Sequence, residues 1–263
     1  MKVVVITGST RGIGYGLADS FLALGCTVVI NGRSREKVDQ VVQDFSRKYD
    51  PARVMGYPGD VSDFEQVQSL WNAAKARFIH VDIWINNAGI AQPQAYFWDF
   101  TPKQIRSVVD TNIIGAMYGT VVAIRGMREQ GYGSLYNMEG YGSSGRRMVK
   151  GVSLYGSTKA ALRFLDDSLM DEVEGTPVIV GVLRPGMVAT ELITSQYENR
   201  PEDWERARRI FNIIADRVET VTPWLAQKIL ENQKSGVCIS WTNPAKLMFR
   251  FLAAPFRKRR IVD

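Results

Sequence analysis

Short apolar, β-branched runs alternate with stretches of helical spacing along the whole chain, and few folds satisfy that order. The runs fall at about 2–7, 27–31, 53–57, 82–85, 134–138, 178–183 and 237–240. The helical stretches fall at about 12–24, 34–49, 62–78, 101–129, 153–174, 201–215 and 223–232. Ser62 and Asp63 have the chemistry of helix caps, and Pro102 suits a first helical turn. The runs are apolar on both faces, as strands are when helices cover both sides of a parallel sheet. Right-handed crossovers then build a single-domain, doubly wound parallel α/β sheet of seven strands, Rossmann-like in layout. No Pro/Gly/Ser-rich linker divides the 263 residues, so one catalytic domain is expected over 1–240, followed by an apolar and basic tail over 241–263. In such sheets ligands bind beyond the carboxyl ends of the strands, and motifs at those ends carry the functional information.

Composition removes several function classes. Cys26 and Cys238 are far apart and form no CxxC pair, which argues against a disulfide framework or a metal site. Both lie in apolar contexts that suit buried free thiols. The single histidine, His80, makes a Ser-His-Asp hydrolase hard to build, and its place between helix and strand suits a surface helix end. The first strand opens the chain without a signal-peptide pattern, and no stretch reads as a membrane span, so a cytoplasmic, reducing location is expected. The formal net charge is +6, concentrated partly at 33–48 and partly in Arg257, Lys258, Arg259 and Arg260. Nucleic-acid binding is not expected, because the basic residues are split and no reader motif is present.

Strand one ends in Thr7-Gly8-Ser9-Thr10-Arg11-Gly12-Ile13-Gly14. Its glycines permit a tight turn and a close approach to pyrophosphate. The helix that starts near Gly12 aims its unpaired N–H groups and positive end at that phosphate. No Gly-Lys-Ser/Thr follows, so the segment is not a P-loop. Strand two ends in Asn31-Gly32-Arg33-Ser34, without the acid that would bind the ribose 2′-hydroxyl of NAD. Arg33 can pair with a 2′-phosphate, and Arg11 can stack or pair from the turn, which points to NADP(H). The alternative is that both arginines are ordinary surface residues. After strand four, the small residues of Asn86-Asn87-Ala88-Gly89 leave room for a ribose, and the asparagines can tie strand ends together. In Tyr155-Gly156-Ser157-Thr158-Lys159, Tyr155 and Lys159 lie four apart on one helical face. A neighbouring ammonium favours the phenolate of a group whose ordinary pKa is about 10, which fits Tyr155 for proton transfer with a carbonyl or alcohol.

TGxxxGxG, NNAG and YxxxK, in that order and at the correct strand ends, resemble the short-chain dehydrogenase/reductase family over essentially the first 190 residues. The resemblance implies an NADP(H)-dependent oxidoreductase acting on CH–OH and C=O groups. It implies that Asp60, beside Val61, meets the adenine edge and that Lys159 also holds the nicotinamide ribose. It implies that Asn112 supports a water or proton path to the lysine. Arg184-Pro185-Gly186-Met187-Val188-Ala189-Thr190 resembles the family's PGxVxT segment, so backbone near Val188 and the Thr190 hydroxyl would hold the carboxamide. The family's substrate-polarising serine pair is replaced here by Glu139-Gly140; Ser143 is the expected carrier of that role, with Ser144 second. A substrate lid is expected at about 190–221, with Trp204, Ile210, Phe211 and Ile214 as apolar lining. A homodimer or homotetramer packed through 101–129 and 153–174 is implied as well.

Segments 84–89, 137–143, 211–214, 219–221 and 243–247 resemble the chlorophyll(ide) b reductase subgroup, whose members reduce a ring formyl group with NADPH. A large, flat, apolar carbonyl substrate is implied. The competing reading is a nucleotide-sensing module that keeps the fold and has lost the chemistry. The apolar residues of 246–252 lead through Pro255-Phe256 into the basic run. Such a tail can lie on an anionic membrane surface or pack on a neighbouring subunit.

Overall fold

A computed structural model describes residues 1–145, 150–197, 201–254, 256 and 259–262. Pro255, Arg257 and Lys258 of the expected tail lie outside the described residues. Seven parallel strands form one sheet in the order β3-β2-β1-β4-β5-β6-β7. They are β1 (Val3–Ile6), β2 (Thr27–Gly32), β3 (Val54–Pro58), β4 (Ile83–Asn86), β5 (Gly133–Met138), β6 (Val178–Arg184) and β7 (Val237–Ser240). The chain crosses from one side of β1 to the other between β3 and β4, so a crevice opens beyond the carboxyl ends of β1 and β4.

Strand periodicity divides the core into two layers. Val4, Ile6, Val28 and Ile30 pack under α1 (Gly12–Ala23), α2 (Arg35–Lys48) and a C-terminal-half helix that carries Val221, Leu225 and Ile229. Val5, Val29, Trp84, Leu135 and Val180 pack on the other face, under α3 (Phe64–Phe78) and two later helices. Asp63 caps α3 by accepting from the Gln66 N–H, and Ser62 pairs with Asp60 instead. Thr101 and Gln104 close a capping box on α4 (Pro102–Val109), with Pro102 in its first turn.

The expected helix at 101–129 is not one regular helix. After α4 comes a π-helical turn at Asp110–Ile114, then α5 (Gly115–Gln130). The extra residue in that turn leaves the apolar periodicity almost intact, which is why the sequence reads through it. By length and composition Pro102–Gln130 could cross a bilayer, contrary to expectation. In the fold its buried side, including Val122, Ala123 and Met127, packs against Trp71 of α3 and the sheet.

The remaining helices are α6 (Ser153–Glu172), α7 (Glu191–Thr194), α8 (Pro201–Ile214), α9 (Val218–Glu231) and α10 (Pro244–Ala253). Helix α9 starts five residues before the expected Pro223, which sits inside it. That proline is little more than one turn in, so it removes one intrahelical bond without ending the helix. The tail is built rather than trailing. Asn243 caps α10, and Arg250 and Arg259 both reach the buried Asp216 at 2.7 Å. Cys26 is buried as expected, whereas Cys238 is exposed because β7 is the edge strand.

Candidate active site

An open groove of about 1110 Å³ runs along the strand ends, from Arg33 and Asp60 at one end to Tyr155 and Lys159 at the other. The first turn forms its floor through Gly8, Thr10, Arg11, Gly12, Ile13 and Gly14. Gly8 and Gly12 have φ of +62° and +58°, a conformation that costs other residues dearly. A Cβ on Gly14 would collide with the Gly8 carbonyl and the Asn87 amide. Arg11 stands at the N-cap of α1 without a side-chain cap bond, leaving the helix's first N–H groups without a side-chain acceptor. Such a cradle fits a pyrophosphate.

Hydrogen bonds brace the cradle. Asn87 Nδ2 donates to the Thr7 and Gly8 carbonyls at 2.9 and 3.0 Å, and Thr7 Oγ1 accepts from the N–H of Asn87 and Ala88. Asn31 Oδ1 accepts from Gly8 N–H, while its Nδ2 donates to the Tyr57 and Gly59 carbonyls. Asn31 was legible as the last residue of strand two, yet its position points attention to a missing acid rather than to this bracing role. Ser9 is a strut, not a lining residue: its hydroxyl donates to the Ile6 carbonyl and accepts from Asn31 N–H. Ser34 caps α2 through Lys37 N–H and lies outside the groove lining. Arg33 is exposed at the rim. Asp60 and Val61 line the same end, and the Asp60 carboxylate accepts from Ser62. Arg11 pairs with Glu191 of α7 across the mouth; both side chains are exposed, so the pair is weakly held.

Gly89 lines the groove beside Lys159, while Ala88 lines it beside Gly8 and Thr190 beside Gly12. Val188 and Pro185 are buried beneath the lining, and Gly186, with φ of +73°, packs on Thr242. Val188 forms an isolated bridge with Asp216, and Ala189 N–H donates to the Asp216 carbonyl at 2.9 Å. The segment expected to hold a carboxamide is therefore tied to the residue that clasps the tail.

The π turn presents Asn112, which is fully buried. Its Oδ1 accepts from Ile90 N–H at 2.8 Å, and its Nδ2 donates to the Ile90 carbonyl and to Thr158 Oγ1. Asn112 thus locks the loop after β4 against α6 one residue before Lys159. Lys159 is buried, and its ammonium donates to the Met138 carbonyl at 2.8 Å. It lies 5.9 Å from the centre of the Tyr155 ring, so the two side chains share a face as expected. Burial pushes Lys159 down to about 8, against the opposing pull of Asp166 and Glu139. The expected depression of the phenol is not realised: burial pushes Tyr155 up to about 12. The ammonium is engaged with a carbonyl of β5, and desolvation dominates. A phenol held protonated suits proton donation.

The two candidate serines differ in placement. Position 140 faces the Tyr155 hydroxyl, and a Cβ there would strike that oxygen. Ser143 is buried, but its hydroxyl serves its own turn, donating to the Gly140 carbonyl at 2.8 Å and accepting from Gly140 N–H at 3.1 Å. Ser144 is exposed. Glu139, which sequence reasoning treated only as a departure, lines the groove beside Met138. Its buried carboxylate pairs with Arg163 at 2.9 Å and Arg184 at 2.7 Å, joining the ends of β5 and β6 to α6. Asp166 was missed as well; it is fully buried and accepts from Asn137, which in turn accepts from Asn86.

The lid segment contributes an aromatic cluster. Trp204 and Phe211 lie 5.8 Å apart, and Tyr197 touches both at 5.6 and 5.9 Å. Ile210 is half exposed and Ile214 is partly buried. Tyr197 escaped the sequence reading because it precedes the helix whose spacing carried the signal.

Comparisons with known proteins agree with this fold. The family model described as short chain dehydrogenase matches residues 2–201. The chain is similar to the probable chlorophyll(ide) b reductase NYC1, chloroplastic, of Arabidopsis thaliana, with 33% identity over 99% of this chain and 54% of the relative. It is also similar to the chlorophyll(ide) b reductase NOL, chloroplastic, of Oryza sativa subsp. japonica, with 36% identity over 86% of this chain and 66% of the relative. It therefore spans between about half and two thirds of these relatives' length. Among solved structures, a 3-ketoacyl-(acyl-carrier-protein) reductase from Brucella melitensis complexed with NADH superposes with a TM-score of 0.77 at 23% identity, over 91% of this chain and 96% of that one. ElxO with NADP bound gives 0.77 at 26% identity over the same shares.

Proposed function

As this chain belongs to the short-chain dehydrogenase family, we propose that it reduces an aldehyde or ketone on a large, flat, apolar molecule with NADPH, a formyl tetrapyrrole being the first substrate class to test. The observation that carries the reading is Tyr155 beside Lys159 at the end of a groove whose other end is a glycine cradle and Arg33. Bound NADPH supplies the hydride that reduces the carbonyl carbon. Tyr155 gives its phenolic proton to the carbonyl oxygen, and its raised pKa keeps that proton in place near neutral pH. Lys159 stays largely cationic below about pH 8, so it steadies the phenolate left behind and can hold the ribose. Asn112, fixed between Ile90 and Thr158, braces that corner, and we assign it the support of a proton path to Lys159. Gly140 leaves room above the Tyr155 hydroxyl, and Ser143, one turn of hydrogen bonds away, is the group we assign to polarise the substrate oxygen.

NADPH over NADH follows from Arg33 and from Asn31-Gly32 standing where an acid would repel a 2′-phosphate. The aromatic cluster of Tyr197, Trp204 and Phe211 supports a flat apolar substrate. An exposed Phe164 on α6 supports a homo-oligomer packed through that helix.

Titration of protein fluorescence with each nucleotide is expected to give tighter binding of NADPH than NADH; the reverse order overturns the Arg33 assignment. Tyr155→Phe is expected to keep NADPH quenching while NADPH consumption against a panel of aldehydes and ketones, formyl tetrapyrroles included, falls by about 10²–10⁴. Full turnover in that variant removes Tyr155 from the chemistry. A wild-type chain that binds NADPH but consumes none with any carbonyl supports the sensing module, for which the loss of hydroxyls at Glu139-Gly140 speaks.

A further inference from the structure

Helix α10 turns its polar anchor inward and its apolar side out. Arg250 reaches back to Asp216 and to the Ile214 carbonyl. On the opposite side Met248, Phe249, Phe251 and Leu252 fall within one broad helical stripe, each more than half exposed. Phe256 beyond the helix is 92% exposed, and Ile210 on the adjoining α8 is half exposed. Monomeric proteins rarely leave so many large apolar side chains together in water. Next to the stripe, a solvent-open cleft of about 1630 Å³ separates α8 from α10. Arg208, Arg209, Lys246, Arg250, Arg259 and Arg260 line it, and among the described residues no carboxylate does. Asp216 and Glu205 answer part of this charge from outside the lining. Lys246 registers the excess: after burial, the nearby Arg250 and Arg259 push its ammonium down.

We propose that this face docks on an anionic phospholipid bilayer, the α10 stripe entering the headgroup boundary and the cleft receiving a lipid phosphate. An apolar stripe bordered by cations is what such a surface retains. A second copy of the chain fits less well, because a two-fold contact sets this cleft's cations opposite themselves. Docking has a consequence for the site. Helix α8 is one wall of the cleft and also carries Trp204 and Phe211 of the aromatic cluster. The bilayer contact brings the lid to the surface from which an apolar carbonyl compound would leave the lipid. That consequence rests on the reductase reading; docking itself does not.

The test is flotation of the full chain with phosphatidylcholine vesicles carrying roughly a quarter phosphatidylglycerol, against phosphatidylcholine alone. Co-flotation with the anionic vesicles only, reversed by high salt, is expected. Phe251→Ser with Leu252→Ser, and separately Arg209→Glu, are expected to weaken it by about tenfold or more while NADPH quenching is unchanged. Equal flotation with both vesicle types, or none, overturns the proposal. So does a dimer in sedimentation velocity that the Phe251/Leu252 pair of changes dissociates while vesicles leave the wild type unbound, an outcome that assigns the face to a second copy. If vesicles bind and no carbonyl is reduced, the docking stands and the reductase reading fails.

Discussion

Asp166 has one carboxylate oxygen, Oδ2, without a hydrogen-bond partner among the described residues, although the side chain is wholly buried. Burial pushes its pKa up to about 7; Glu139 adds to this, while the Asn137 bond opposes it. When ionised it is the foremost group holding the Lys159 ammonium up against desolvation. The sign follows: a neutral amide at 166 leaves the lysine less supported, so its pKa drops further below about 8. Asp166→Asn is expected to move the basic limb of the kcat/KM–pH profile to lower pH. An unmoved limb, with activity retained, removes Asp166 from the control of Lys159. Nothing in the sequence marked this residue, because an acid seven positions after Lys159 on a polar-faced helix reads as solvated surface. The Tyr155–Lys159 pair, by contrast, was legible from its helical spacing taken together with the glycine turn and the NNAG segment at neighbouring strand ends. The phenol's raised pKa was not, since desolvation depends on what the fold packs around it.

Elements were legible in proportion to how local their causes are. The strands announced themselves because β-branched residues buried on both faces leave few other readings for Val3–Ile6 or Val178–Arg184. Caps act within a turn: Asp63 stands where expected, and Thr101 caps α4 immediately before the expected Pro102. The π turn at Asp110–Ile114 has no such local sign, yet it aims Asn112 at the backbone of Ile90. Asn112→Ala leaves both part-buried backbone groups of Ile90 without that partner, an expected loss of about 1–3 kcal/mol in chemical denaturation. Turnover is expected to fall with it, while Asn112→Asp, which keeps an acceptor for the Ile90 N–H, recovers part of the stability. The displaced serine is the converse case. Sequence distance from Tyr155 left Ser143 and Ser144 open, and only the turn at Gly140 shows which is buried and what occupies its hydroxyl.

At the scale of the molecule, the tail and the groove are one structure. Asp216 accepts from Arg250, Arg259 and Trp241 through its side chain, while its backbone pairs with Met187 and Ala189. These contacts join residues 25 to 43 positions apart, beyond the reach of any sequence pattern. Burial would raise the Asp216 pKa, but the Trp241, Arg250 and Arg259 contacts outweigh it and hold it below the usual range. The clasp therefore contributes fully above an unfolded-state pKa of about 3.9 and is lost as pH falls through the lower folded value. Asp216→Ala is expected to cost about 3–5 kcal/mol by denaturant melting at neutral pH, since it strands two arginines. It is also expected to weaken NADPH binding. Unaltered nucleotide affinity in a destabilised variant separates the clasp from the groove.

Seven strands that all run one way have a further effect. Each delivers its final residue to the same rim, while its body stays in the two apolar layers. An exchange along that rim, such as Glu139-Gly140 in place of the hydroxyls that the family resemblance implies, is answered by Arg163 and Arg184 at the neighbouring ends and leaves the two apolar layers untouched. A scaffold of this design can be retargeted to a new reactant by a few terminal replacements, with its folding largely indifferent to the change.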